Sequence, residues 1–187
     1  MSQLFRTPGS SALLAVPAGY ALAAGAPAVW VAVLVCQAAV SAGYNARPTP
    51  AGLTADRLTI FAVGLTYLCL APLPSLLGPL VPAGLLAYLL ASRVSPHGWG
   101  CWVQFPASIS FLVALTWGGY RVNTAAEKGL SALFWPSAIV GPIVYAVRYR
   151  RSGQGYFWWY PHVTYLWHAC VAGILTSVSD TLVPVVV

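Results

Sequence analysis

Six polar residues in an almost uncharged chain could do chemistry, and they fall in three short stretches. SAGYN at 41–45 carries Ser41 and Asn45, and TADRLTIF at 54–61 carries Asp56, the first of only three acidic residues in the sequence. YFWWYPHVTYLWHACVAG at 156–173 carries His162, Thr164 and His168 among many aromatic rings. Histidine with aspartate at these places suggests metal-assisted hydrolysis; a proton path would need a line of ionisable residues, and the chain offers only this cluster. A catalytic zinc needs three nitrogen or carboxylate ligands and one open position for water. Six residues separate His162 from His168, about 600° of helix, so the two rings would stand about 120° apart. They could share an ion with Asp56 only if Pro161 left the first turn irregular. The third histidine, His97 in SPHGWG, sits in a connection, and nothing in the sequence places it near the other two. Aromatic residues also gather at membrane interfaces whatever a protein does, which is the plainer explanation of the stretch.

The elements that must position these residues follow from composition. The 187 residues are 59% hydrophobic and 6% charged, with a mean hydropathy of +0.75. A soluble domain carries about one-quarter charged residues. An all-α, polytopic integral membrane bundle of about seven helices is expected, with no soluble domain beside it, since each span needs about 20 apolar residues. Uninterrupted apolar runs put the spans near 11–26, 28–45, 57–73, 76–92, 101–119, 130–147 and 162–184. Arg6 before a run ending Ala24-Gly25-Ala26 has the look of a signal peptide, but Pro27 just after the cut opposes cleavage, so 11–26 is read as a first span weakened by Pro17. Pro82, Pro106, Pro136 and Pro142 predict kinks inside later spans. With seven spans, Arg6, Arg47, Arg57, Arg93, Arg148, Arg150 and Arg151 share one side, against Arg121 and Lys128 on the other. That asymmetry places the N-terminus on the cytosolic, matrix or stromal side.

Several classes of function are excluded or disfavoured. The nine basic residues are scattered, unlike the dense basic surface of a nucleic-acid binder. Cys36, Cys69, Cys101 and Cys170 lack CxxC spacing and read as small hydrophobes in apolar runs. There is no phosphate-binding glycine loop and no nucleophile elbow. Asp180, near the end of the last span, is expected to be an interfacial polar residue, and Glu127-Lys128 a solvated pair.

Taken together, SAGYN, Asp56 eleven residues later and TYLWHACVAG at 164–173 resemble the alkaline ceramidase superfamily of seven-span proteins, which includes adiponectin-type receptors, Per1-like proteins and the TMEM8/myomaker group. The family ends its second span with Ser-x-x-x-His, opens its third with Asp and opens its seventh with His-x-x-x-His. Ser41, Asp56 and His168, the last preceded by Trp167, match that pattern. Asn45 and Thr164 stand where two zinc histidines would be. The resemblance therefore implies a non-catalytic relative in which Ser41, Asn45, Asp56, Thr164 and His168 remain as a hydrogen-bonded remnant without a metal. The alternative is a zinc-dependent hydrolase of a lipid amide or ester that holds the ion through His168, His162 and Asp56. As a pseudoenzyme the chain would serve as a lipid-binding or structural accessory subunit among other membrane proteins, with Arg148, Arg150, Arg151, Trp158 and Trp159 facing anionic head groups.

Overall fold

Apolar runs punctuated by proline and glycine become helices. A computed structural model describes residues 8–47, 49–71, 99–124, 131–152 and 160–183. These hold a 3-10 segment, Pro8–Leu14, and six α-helices: α1 Ala15–Ala23, α2 Ala28–Ala46, α3 Pro50–Leu70, α4 Trp99–Thr124, α5 Ser131–Ser152 and α6 Tyr160–Asp180. There is no strand among the described residues. The chain is all-α there, and α2 and residues 51–70 of α3 are long and apolar enough to cross a membrane. The expected span 76–92 and His97 lie outside the described residues.

Local signals explain the boundaries. Pro17 is the third residue of α1, at the place where the 3-10 segment passes into α-helix, and its missing N–H is tolerated at that change of hydrogen-bond pattern. The expected span 11–26 is accordingly a 3-10 segment running into a nine-residue α-helix. Gly25 then adopts φ 76°, and the Ala26 N–H donates to the Ala21 carbonyl at 2.9 Å. This left-handed glycine with a six-to-one hydrogen bond closes the helix and lets Pro27 start α2. For α3 the cap is Thr49, whose Oγ1 accepts from the Gly52 N–H at 2.9 Å, with Pro50 in the first turn. The helix therefore begins seven residues before the expected start at 57. Asp56 lies inside α3 and does not open it, because a capped Thr-Pro start outweighs one charged pair further along.

The packing places α6 at the centre. It meets the 3-10 segment, α1, α4 and α5, while α2 and α3 pack on each other and α3 on α4. From Ala172 to Ser179 nearly every α6 side chain is buried. Ile174, Leu175 and Val178 join Trp30 and Leu34 of α2, Val63, Tyr67 and Leu68 of α3, and Phe134 of α5 in one apolar core. Trp30 and Tyr67 pack at 5.8 Å between centroids, tilted by 53°. Gly64 allows α3 to meet α4 at Ser110, where a Cβ would come within 2.8 Å of the serine Oγ and 2.9 Å of its carbonyl carbon. Such close approach of small residues lets the two helix backbones pack directly against each other.

Three polar bonds tie the C-terminal end of α6 to earlier helices. Tyr20 donates to Asp180 Oδ1 at 2.7 Å, Trp30 Nε1 donates to Ser179 Oγ at 2.8 Å, and the Tyr67 and Thr181 hydroxyls meet at 3.0 Å. Asp180, expected as a polar residue at the end of the last span, is the last residue of α6 and part of the lock between α1 and α6.

Candidate functional site

The inner face of α2 changes character along its length. Trp30, Leu34, Gln37, Ser41 and Asn45 are its buried residues, spaced by three or four as one helical stripe requires. The first two enter the apolar core, and the last three make a polar strip. Thr164 and His168, four apart on α6, form a matching buried pair. An apolar helix can carry such a strip in its interior only where each polar group finds a partner.

The 3-10 segment supplies those partners. Asn45 Nδ2 donates to Ser11 Oγ at 3.1 Å and, within its own helix, to the Ser41 carbonyl at 2.8 Å, with Ser41 Oγ at 3.3 Å. Ser10 Oγ meets His168 Nδ1 at 2.9 Å. Successive side chains of a 3-10 helix point about 120° apart, so neighbouring serines can face different helices. Ser10 turns to α6 and Ser11 to α2. Both are fully enclosed, at 0% and 1% exposure. The segment fits closely because Gly9 has no side chain: a Cβ there would stand 2.7 Å from the Tyr165 hydroxyl.

Ser41, Asn45 and His168 therefore share one end of the bundle, joined by two adjacent serines. Asp56 is half-buried on α3, and its Oδ1 accepts from Gln37 Nε2 at 3.3 Å. Gln37 is 6% exposed, and its Oε1 has no hydrogen-bond partner. Thr59 Oγ1 donates to the Asp56 carbonyl at 2.8 Å. Ser10, Ser11 and Gln37 escape a reading of the sequence for different reasons. Ser10 and Ser11 stand at the very edge of the first span and match no motif, whereas Gln37 stands one turn before Ser41 and could have been found from that spacing.

The three-ligand zinc set weighed from the sequence, His168 with His162 and Asp56, is not assembled among the described residues. Among the described residues no three His, Cys, Asp or Glu side chains gather where one ion could be held. Asn45 engages its neighbours through its amide nitrogen, a donor and not a metal ligand. His162 cannot stand in, because α6 is helical from Tyr160 and the irregular first turn that would bring it onto the His168 face is not present. His162 is exposed while His168 is buried, as an offset of about 120° requires. Of the head-group candidates, Arg148, Arg150 and Arg151 lie on the last turns of α5, where only the backbone is described, and Trp158 and Trp159 lie outside the described residues.

What this arrangement can do chemically is limited. A general base needs reach to a substrate proton; the Ser10 hydroxyl at Nδ1 fixes the orientation of the His168 ring. The cluster can hold three segments in register and carry polar groups through an apolar interior. Comparison of the chain with protein-family models, with curated proteins and with solved structures finds no match.

Proposed function

We propose that the protein is a multi-pass integral membrane protein of about seven spans, a non-catalytic relative of the ceramidase-type bundles that acts as a lipid-binding or structural subunit. The observation that carries this reading is the inverted polarity of the chain. Ser10, Ser11, Gln37, Ser41, Asn45, Thr164 and His168 are buried, whereas Leu22, Val29, Val35, Leu112, Ile139 and Ile143 are each more than half exposed. In water that arrangement would leave a large apolar surface wet and desolvate polar groups. In lipid both features are favourable. The basic side would face the cytosol, matrix or stroma, with Arg148, Arg150 and Arg151 near anionic head groups and partner subunits met within the bilayer.

The non-catalytic part of the reading rests on Asn45 and Thr164 standing where the resemblance would put two zinc histidines. The test is metal analysis of the purified protein together with ceramide and phospholipid turnover, zinc supplied, for wild type and His168→Ala. No bound zinc and equal background turnover are expected. About one zinc per chain, or turnover that disappears with His168, would replace this reading with that of a zinc-dependent lipid hydrolase.

A further inference from the structure

We propose that Arg121 is the core of a binding site for the phosphodiester of an anionic phospholipid, at the end of the bundle opposite the Ser10–His168 contact. The starting observation is a guanidinium that the helix ends do not claim. Arg121 stands half-buried in the last turn of α4. An arginine there ordinarily hydrogen-bonds the terminal carbonyls of its helix. Other donors already serve several of the carbonyls at this end. Trp117 Nε1 donates to the Ala71 carbonyl at the close of α3 at 2.7 Å, and Thr124 Oγ1 to the Tyr120 and Arg121 carbonyls at 3.2 and 3.1 Å. Thr181 Oγ1 donates to the Val178 carbonyl of α6 at 2.7 Å.

What Arg121 meets is a hydroxyl. Its guanidinium lies beside the Tyr67 hydroxyl and bears on it as hydrogen-bond partner and as charge. The Tyr67 and Thr181 hydroxyls are 3.0 Å apart, and Thr181 gives its hydrogen to Val178. Tyr67 therefore donates to Thr181 and keeps its lone pairs for the arginine, which has further N–H groups to place. Among the described residues no carboxylate pairs with Arg121: Asp56, about three turns earlier on α3, accepts from Gln37, and Asp180 accepts from Tyr20 of α1. Depth selects the ligand. Trp117, stacked on Tyr120 at 5.1 Å, and Trp135, whose Nε1 donates to Asn123 Oδ1 at 2.9 Å, surround the same helix end. Such rings gather at head-group level in a bilayer. The planar fork of arginine matches the free oxygens of a phosphodiester. A head group of net negative charge balances the guanidinium, whereas a zwitterionic one brings a second cation to the same place.

The site rests on the membrane reading given above, and phase partition in a cloud-point detergent separates the two. A chain in the aqueous phase would end both, whereas a chain in the detergent phase that shows no lipid preference would end this one alone. The experiment follows thermal unfolding of the full chain in detergent micelles as phosphatidylglycerol, phosphatidylcholine or free glycerol phosphate is added. At a phosphatidylglycerol level ten times Kd the folded-to-unfolded ratio should rise about elevenfold, read as an upward shift of about 3–6 °C for a chain of this size. Phosphatidylcholine should act more weakly, and glycerol phosphate not at all. Arg121→Gln should raise the lipid level needed by about tenfold or more, and Arg121→Lys should restore part of the response, because the charge returns without the fork. A variant with Arg148, Arg150 and Arg151 all changed to Gln should keep it. Equal midpoints with the two lipids for the wild type would overturn the proposal even if no variant folds. An unchanged response in Arg121→Gln, or a shift produced equally by glycerol phosphate, would overturn it as well.

Discussion

Deleting one oxygen atom at Ser10 should destabilise the protein more than deleting the same atom at its neighbour. Ser10→Ala removes the hydroxyl that meets His168 Nδ1 at 2.9 Å, between residues exposed by 0% and 4%. The ring nitrogen then loses a partner in a place water does not reach, which costs about 1–3 kcal/mol. Ser11→Ala removes an acceptor of Asn45 Nδ2 at 3.1 Å, but the same nitrogen keeps the Ser41 carbonyl at 2.8 Å. That loss should lie at the lower end, about 0.5–1 kcal/mol. For a domain of this size each kcal/mol moves the midpoint by roughly 2–4 °C, so thermal unfolding in detergent, followed by tryptophan fluorescence, should separate the two variants. A double-mutant cycle with Ser10→Ala and His168→Ala isolates the pair. Its coupling should fall near the 0.6–1.7 kcal/mol found for interhelical hydrogen bonds in membranes, roughly, because the unfolded chain in detergent also finds partners. A Ser10→Ala protein as stable as wild type, or a Ser11→Ala protein less stable than Ser10→Ala, would refute the bridge between α2 and α6.

Three further outcomes follow from the packing. Gly64→Ala should cost about 1–3 kcal/mol by overpacking, since its Cβ would meet the backbone of Ser110 at 2.9 Å; a neutral effect in thermal unfolding would show that α3 and α4 do not cross there. Trp30→Phe keeps an aromatic ring in the core but loses the donor to Ser179 Oγ at 2.8 Å. Because Ser179 Oγ also bonds the Leu175 carbonyl at 2.6 Å, the loss should stay within about 0.5–1.5 kcal/mol, and a chemical-denaturation midpoint shifted by much more would contradict the geometry. A membrane-permeant thiol reagent should modify Cys36 and Cys69, both exposed, well before the buried Cys170; mass spectrometry of the labelled peptides gives the order, and early labelling of Cys170 would displace α6 from the centre.

Much of the helical plan is legible from local signals. The start of α2 at Pro27 and its end near Asn45 follow from the apolar run, and the structure places the helix at Ala28–Ala46. The misjudged boundary, the start of α3, is instructive. The Arg57 charge marks the edge of the apolar run, but Thr49-Pro50 marks the edge of the helix, and backbone capping decides where a helix begins. In the polar cluster, Ser41 and Asn45 are recognisable together because i and i+4 share a helix face, and Thr164 and His168 for the same reason.

By itself, then, the sequence determined that the chain is helical and that its charged residues are few, and it singled out Ser41, Asn45, Asp56, Thr164 and His168 as candidates. Each of these rests on composition or on periodicity within one helix. Only the tertiary structure decided that Ser10 and Ser11 join Asn45 to His168, that Gln37 meets Asp56 and keeps an orphaned oxygen, and that Asp180 is held by Tyr20. Ser10 and His168 are 158 positions apart, and Tyr20 and Asp180 are 160. A serine before a first helix has no pattern that announces its partner, because hydrogen bonds across a bundle are set by which faces the packed helices present to one another, and no local propensity encodes that choice.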